Sequence, residues 1–218
     1  MRNSVFAILK RFVRLLPDTW QAKLQKVRFD ADFKKWENQG KPVPPPHIVK
    51  QKQILEYALK FNCSILVETG TFQGDMVFVQ RNNFDRIYSI ELAPQLWKAA
   101  KNRFEKYKHI EIIQGDSGQI LPSIVSKLNC SALFWLDGHY SSGETALGKT
   151  ECPIFEELMA IFKSNLPHVL LIDDARCFNG THDYPTQKEL LDFVIQKYPS
   201  ASFEVKYDII AIVLPGRG

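Results

Sequence analysis

Within its 218 residues the chain has no CxxC pair, no apolar run long enough to span a bilayer and no block of like charge. Each absence removes a class of protein. Cys63, Cys130, Cys152 and Cys177 stand far apart, which argues against a zinc knuckle and a disulfide framework and fits the reduced thiols of a cytoplasmic protein. Lys and Arg number 28 against 24 Asp and Glu, and both signs are scattered along the chain, so a nucleic-acid partner is not called for. What is present is apolar: 45% hydrophobic and 12% aromatic residues suffice for one sizeable core and not for two.

The first stretch, MRNSVFAILKRFVRLLP, is not read as a signal sequence, because Lys10, Arg11 and Arg14 interrupt its apolar run. Phe6, Leu9, Phe12, Val13 and Leu16 recur at helical spacing opposite a basic face. Such a helix packs on the domain or on a second subunit of a homo-oligomer, or it lies on an anionic membrane surface, here the inner face of the membrane. A proline-rich break, Gly40-Lys41-Pro42-Val43-Pro44-Pro45-Pro46, then divides an N-terminal helical arm (1–46) from a main domain (47–218).

In the main domain short apolar runs alternate with helical patterns. Strands are expected at 64–68, 86–91, 110–114, 132–137 and 169–173, with helices near 75–81, 94–107, 119–127, 151–163 and 187–197. Strands that are apolar throughout, each followed by a helix, imply a parallel sheet covered on both faces. The tail differs. Runs at 202–206 and 209–214 are joined by little more than Tyr207-Asp208, which allows a hairpin and forbids a parallel crossover. The fold class expected is therefore α/β, a Rossmann-like seven-stranded, mostly parallel sheet with an antiparallel C-terminal strand.

The ends of the strands carry the chemistry. After the first comes Glu68-Thr69-Gly70-Thr71-Phe72-Gln73-Gly74-Asp75, where two glycines let the backbone approach a ligand closely. Their Gly-x-x-x-Gly spacing is not the Gly-x-Gly-x-x-Gly of dinucleotide binding, which weakens a nicotinamide reading. The second strand ends in Glu91, placed to accept hydrogen bonds from ribose hydroxyls, and the third leads into Gly115-Asp116-Ser117. Acids at successive strand ends suit a positively charged nucleoside and would repel phosphates.

Across residues 65–214 the sequence resembles the class I S-adenosylmethionine-dependent methyltransferases. The resemblance implies that Glu68, Gly70 and Gly74 line the methionine part of S-adenosyl-L-methionine, that Glu91 holds the ribose and that Asp116 sits beside the adenine, with Thr71 and Ser117 on the same loops and Asp137, at the end of the fourth strand, also facing the cofactor. The family's middle glycine is replaced here by Phe72.

The fourth and fifth strands end in Leu136-Asp137-Gly138-His139-Tyr140 and Ile172-Asp173-Asp174-Ala175-Arg176. This pattern resembles the metal-dependent O-methyltransferases that act on catechols and on sugars of antibiotic pathways. By that resemblance Asp137, Asp173 and Asp174 hold a divalent cation, Mg²⁺ or Mn²⁺, and His139 takes the proton of the acceptor hydroxyl. Polar loops after these strands offer Tyr140, Glu144, Arg176 and Tyr184 as acceptor contacts, the two tyrosines by stacking on a sugar face. The expectation is metal-assisted O-methylation of a sugar or glycan intermediate. The alternatives are a metal-independent methyltransferase on a nitrogen or other small-molecule acceptor, and a methyltransferase-like scaffold without chemistry.

Overall fold

A computed structural model describes residues 16–138 and 152–217 of the chain, which divides into two compact units at Lys50–Gln51. In the first unit, helix α1 (Asp18–Asn38) carries Trp36, whose indole N–H donates to the Pro42 carbonyl at 2.8 Å and ties the proline-rich stretch to the helix. Helix α2 (His47–Lys60) crosses the division between the units.

The second unit is built on seven strands, β1 (Ile65–Thr69), β2 (Arg86–Glu91), β3 (Ile110–Gln114), β4 (Ala132–Leu136), β5 (Val169–Ile172), β6 (Ser202–Lys206) and β7 (Ile209–Val213). They form one sheet in the order β3-β2-β1-β4-β5-β7-β6. β1 to β5 run parallel, and β7 is antiparallel to both of its neighbours. The expected fold class is the one observed.

The strand sequences explain the layers. Every residue of β4 and β5 is buried, as a strand covered on both faces requires. On one face Val67, Phe134, Leu136, Leu170 and Ile172 pack under α5 (Ser117–Val125), α6 (Ile154–Ile161) and α7 (Gln187–Lys197). On the other, Leu66, Ile87, Leu133, Trp135 and Leu171 pack under the Ile54–Ala58 turn of α2, α3 (Asp75–Gln80) and α4 (Pro94–Phe104). Two helix starts are chemically marked: Asp116 accepts the Gln119 N–H at the head of α5, and Thr186 with Glu189 forms a capping box at the head of α7. The edge strand β6 exposes the charged Glu204, which discourages pairing with another sheet.

Because β1 to β5 are parallel, their carboxyl ends share one edge, and the chain reverses direction across the sheet between β1 and β4. That switch point is where α/β sheets of this kind open a ligand crevice. Among the described residues no helix is long and apolar enough to cross a membrane. Of the amphipathic N-terminal positions only Leu16 falls within the described residues.

Candidate active site

The loop after β1 is shaped by its glycines. Gly70 has φ +83°, and a Cβ placed there would stand 2.3 Å from the Asp137 carbonyl oxygen, so only glycine lets the β1 loop lie against the β4 tip. Gly74 has φ +73° and caps α3, and a Cβ there would meet the Phe104 ring at 2.6 Å. Between them Phe72, where the resembling family has its middle glycine, adopts φ +49°. The left-handed turn is thus kept without the glycine that usually makes it.

Glu91 holds that turn. It is buried at the end of β2, where Oε2 accepts the Phe72 N–H at 2.7 Å and Oε1 accepts the Ala93 N–H at 2.9 Å. Each carboxylate oxygen has a second acceptor site, so the pair remains suited to two ribose hydroxyls. Glu68 faces a different environment. Its carboxyl is buried, the Ser89 hydroxyl donates to it at 2.5 Å, and Ser89 lies 2.6 Å from the Thr71 hydroxyl. Burial pushes the Glu68 carboxyl up to about 8; the Ser89 bond pulls it down, and Asp137 and Glu91 push it up again. With its pKa raised above neutrality the carboxyl favours the protonated form, and through Ser89 it anchors Thr71. Asp116 and Ser117 begin α5 at the β3 end of the same edge.

Three residues at this edge carried no expectation. Ser89 links Glu68 to Thr71. Thr69 is fully buried, and its hydroxyl at the tip of β1 has no hydrogen-bond partner among the described residues. A Cβ on Gly138 would lie 2.9 Å from that hydroxyl and 3.1 Å from Glu157 Oε1, so the β1 tip, the β4 tip and the buried Glu157 of α6 converge. Glu157 was visible in principle, because it falls in line with Ile154, Leu158 and Ile161 on the apolar face of its helix.

The acceptor end differs from its expectation. Asp137 and Asp173 do follow adjacent strands, with the Asp173 N–H donating to the Leu136 carbonyl at 3.1 Å. Yet among the described residues no three His, Cys, Asp or Glu side chains come together to hold a metal. Asp173 is buried and its Oδ1 accepts the Asp174 N–H at 2.8 Å. Asp174 sits in a left-handed turn at φ +54°, and its carboxylate accepts from Arg176 Nη1 at 2.8 Å. The same guanidinium bonds Asp208 in the β6–β7 turn, whose other carboxylate oxygen accepts the Arg176 N–H at 2.8 Å. The residues present do not fit a preformed three-carboxylate metal site, because Asp174 is already engaged by a cation of the chain. Tyr184 is buried, its ring edge-on to Phe178 at 5.4 Å, and its hydroxyl is raised by burial first and then by nearby Cys152, Cys177, Asp174 and Asp137. Tyr184, expected to stack on a sugar face, thus packs its ring against Phe178. His139, Tyr140 and Glu144 lie outside the described residues.

Neither a protein-family model nor a curated protein matches the sequence. Solved structures do match the fold. The O-methyltransferase TomG from Streptomyces achromogenes, involved in tomaymycin synthesis and solved with S-adenosylmethionine, aligns with TM-score 0.56 at 15% identity over 87% of this chain and 89% of that one. An O-methyltransferase from Bacillus cereus, solved with S-adenosylhomocysteine, aligns with TM-score 0.55 at 14% identity over 86% and 90%. The N-methyltransferase NodS from Bradyrhizobium japonicum gives TM-score 0.52 at 14% identity over 77% and 95%. With its strand order, its reversed seventh strand and these likenesses, the chain has the fold of the class I S-adenosylmethionine-dependent methyltransferases.

Proposed function

We propose that this chain is an S-adenosylmethionine-dependent methyltransferase acting on a hydroxyl, of a sugar or glycan intermediate. The observation that carries the reading is the joint geometry of Gly70 and Glu91: backbone pressed so close to β4 that no side chain fits, beside a buried carboxylate with both oxygens aligned by backbone N–H groups. A pyrophosphate would meet that carboxylate, whereas ribose hydroxyls can donate to it. The Thr69 hydroxyl, without a partner among the described residues, offers a further hydrogen-bonding atom at this edge. Support for a hydroxyl acceptor comes from the two O-methyltransferases that share the fold; NodS, an N-methyltransferase, is the ground for the amine alternative.

S-adenosylmethionine, when bound, supplies a methyl group activated by its sulfonium. The chain's part is to bind, to align and to exclude water. Glu91 fixes the nucleoside, the Gly70–Gly74 turn receives the methionine part, and the buried Glu68–Ser89–Thr71 chain keeps that turn from shifting. His139 is proposed as the base that takes the hydroxyl proton on a ring nitrogen, a role that rests on its position after β4 in the sequence. A divalent cation held by Asp137, Asp173 and Asp174 is not carried into the proposal, since the carboxylate set is not assembled.

Calorimetry with S-adenosylmethionine tests the reading. One molecule is expected to bind per chain, and Glu91→Ala is expected to weaken binding by about 10- to 100-fold, the loss of hydrogen bonds to a charged acceptor. No binding to the wild-type chain would refute the proposal.

A further inference from the structure

The turn after β5 is an ionic construction. Arg176 Nη1 reaches Asp174 Oδ1 at 2.8 Å and also bonds Asp208 Oδ2. The Arg176 N–H donates to Asp208 Oδ1 and the Ala175 N–H to the Asp208 carbonyl, each at 2.8 Å. The Asp208 side chain is only 2% exposed, so its charge is withdrawn from water and needs a partner from the chain. That partner comes from 32 residues upstream, and it joins the hairpin turn to the very strand end where the sequence leads one to expect a metal. An arginine does not lose its proton in a protein, so this guanidinium is a permanent cation beside Asp174 and Asp208.

A divalent ion at this strand end would have to share Asp174 with a guanidinium a few ångströms away and be repelled by it. One carboxylate oxygen of Asp173 and one of Asp174 already accept hydrogen bonds, and both oxygens of Asp208 do. We infer that Arg176 is the resident cation of the acceptor end, a positioning residue that fixes the turn after β5 in the place of a divalent metal. The turn after β5 is then held to the β6–β7 turn by a charge that the chain carries itself. The inference rests on the methyltransferase reading only where turnover is measured.

The test is a titration with Mn²⁺ followed by its electron paramagnetic resonance, in the absence of donor and acceptor. The wild-type chain is expected to leave the free-ion signal unchanged up to a millimolar excess, and stoichiometric binding would overturn the inference. Arg176→Met, which removes the cation from Asp174 and Asp208, is expected to bind Mn²⁺ at least tenfold more tightly than wild type; equally weak binding would overturn it as well. Arg176→Lys restores the charge and is expected to behave as wild type, and Mn²⁺ binding by that variant would count against the idea even if the methionine variant fails to fold. In turnover assays a strong chelator should leave the wild-type rate within twofold, and a tenfold loss would contradict a built-in cation. Failure to bind S-adenosylmethionine would sink the methyltransferase reading while leaving the Mn²⁺ result to decide this one.

Discussion

Glu68 and His168 titrate in opposite senses, and their positions in the sheet say why. Glu68 lies near the carboxyl end of β1, pushed up to about 8 by burial, so the folded chain holds a proton there that the unfolded chain releases near 4.5. Its contribution to stability is full below that lower value and is lost as pH rises toward 8. His168 precedes β5, where its Nδ1 accepts the Ala132 N–H at 3.2 Å and its Nε2 lies 2.9 Å from the Ser164 hydroxyl. Burial lowers it to about 4, so its contribution is present above 6.5 and is lost as pH falls toward 4. The two oppose each other below 6.5; above it only Glu68 of this pair still titrates. Glu68→Gln, which keeps the shape and removes the ionisation, is therefore expected to flatten the decline in melting temperature between about pH 6.5 and 8 that the wild type shows. An unchanged slope in thermal melts across that window would mean that Glu68 is ionised at neutral pH. None of this was readable from Glu68 as a letter. A terminal acid on an apolar strand looks like a charge, and only the packing of Ser89, Thr71 and Asp137 around it shows that it is held neutral.

At the level of elements, strands were the legible part and loops the illegible one. β2, β3 and β6 occupy the ranges expected of them, because apolar or alternating runs bounded by polar residues leave little choice. α5 starts at Ser117 rather than Gln119, since Asp116 supplies the cap and Gly115-Asp116-Ser117-Gly118 had the look of a loop. α4 stops at Phe104, short of Tyr107, where the backbone passes into a turn closed by the Tyr107 N–H on the Phe104 carbonyl. The tie between Arg176 and Asp208 had no local signal at all, because it exists only once β7 returns antiparallel beside β5. Two substitutions separate what shapes the site from what merely holds the fold. Gly70→Ala drives a Cβ into the Asp137 carbonyl at a left-handed φ and is expected to cost about 3 kcal/mol, read from the urea midpoint, and to weaken donor binding with it. Thr186→Ala removes the capping box of α7 at a cost of about 1 kcal/mol and is expected to leave donor affinity unaltered. Equal losses of affinity in the two variants would show that binding follows general stability rather than the β1–β4 contact.

For the whole molecule, the parallel run of β1 to β5 collects at one sheet edge residues that the sequence spreads from Glu68 to Arg176. Glu91 on β2 and Asp173 beyond β5 are three strand spacings apart, roughly 14 Å at the usual separation, the span of a nucleoside with an acceptor beside it. In the proposed reading the donor end is built on glycine and buried carboxyls and the acceptor end on an arginine clasp, both at the carboxyl edge of the parallel strands. The most direct test is the crystal structure of the chain with S-adenosylhomocysteine. Density for one nucleoside is predicted at the carboxyl edge of β1, β2 and β4, its ribose hydroxyls within about 3 Å of Glu91 and its adenine beside Asp116. Density elsewhere on the chain, or none at saturating ligand, would contradict the account.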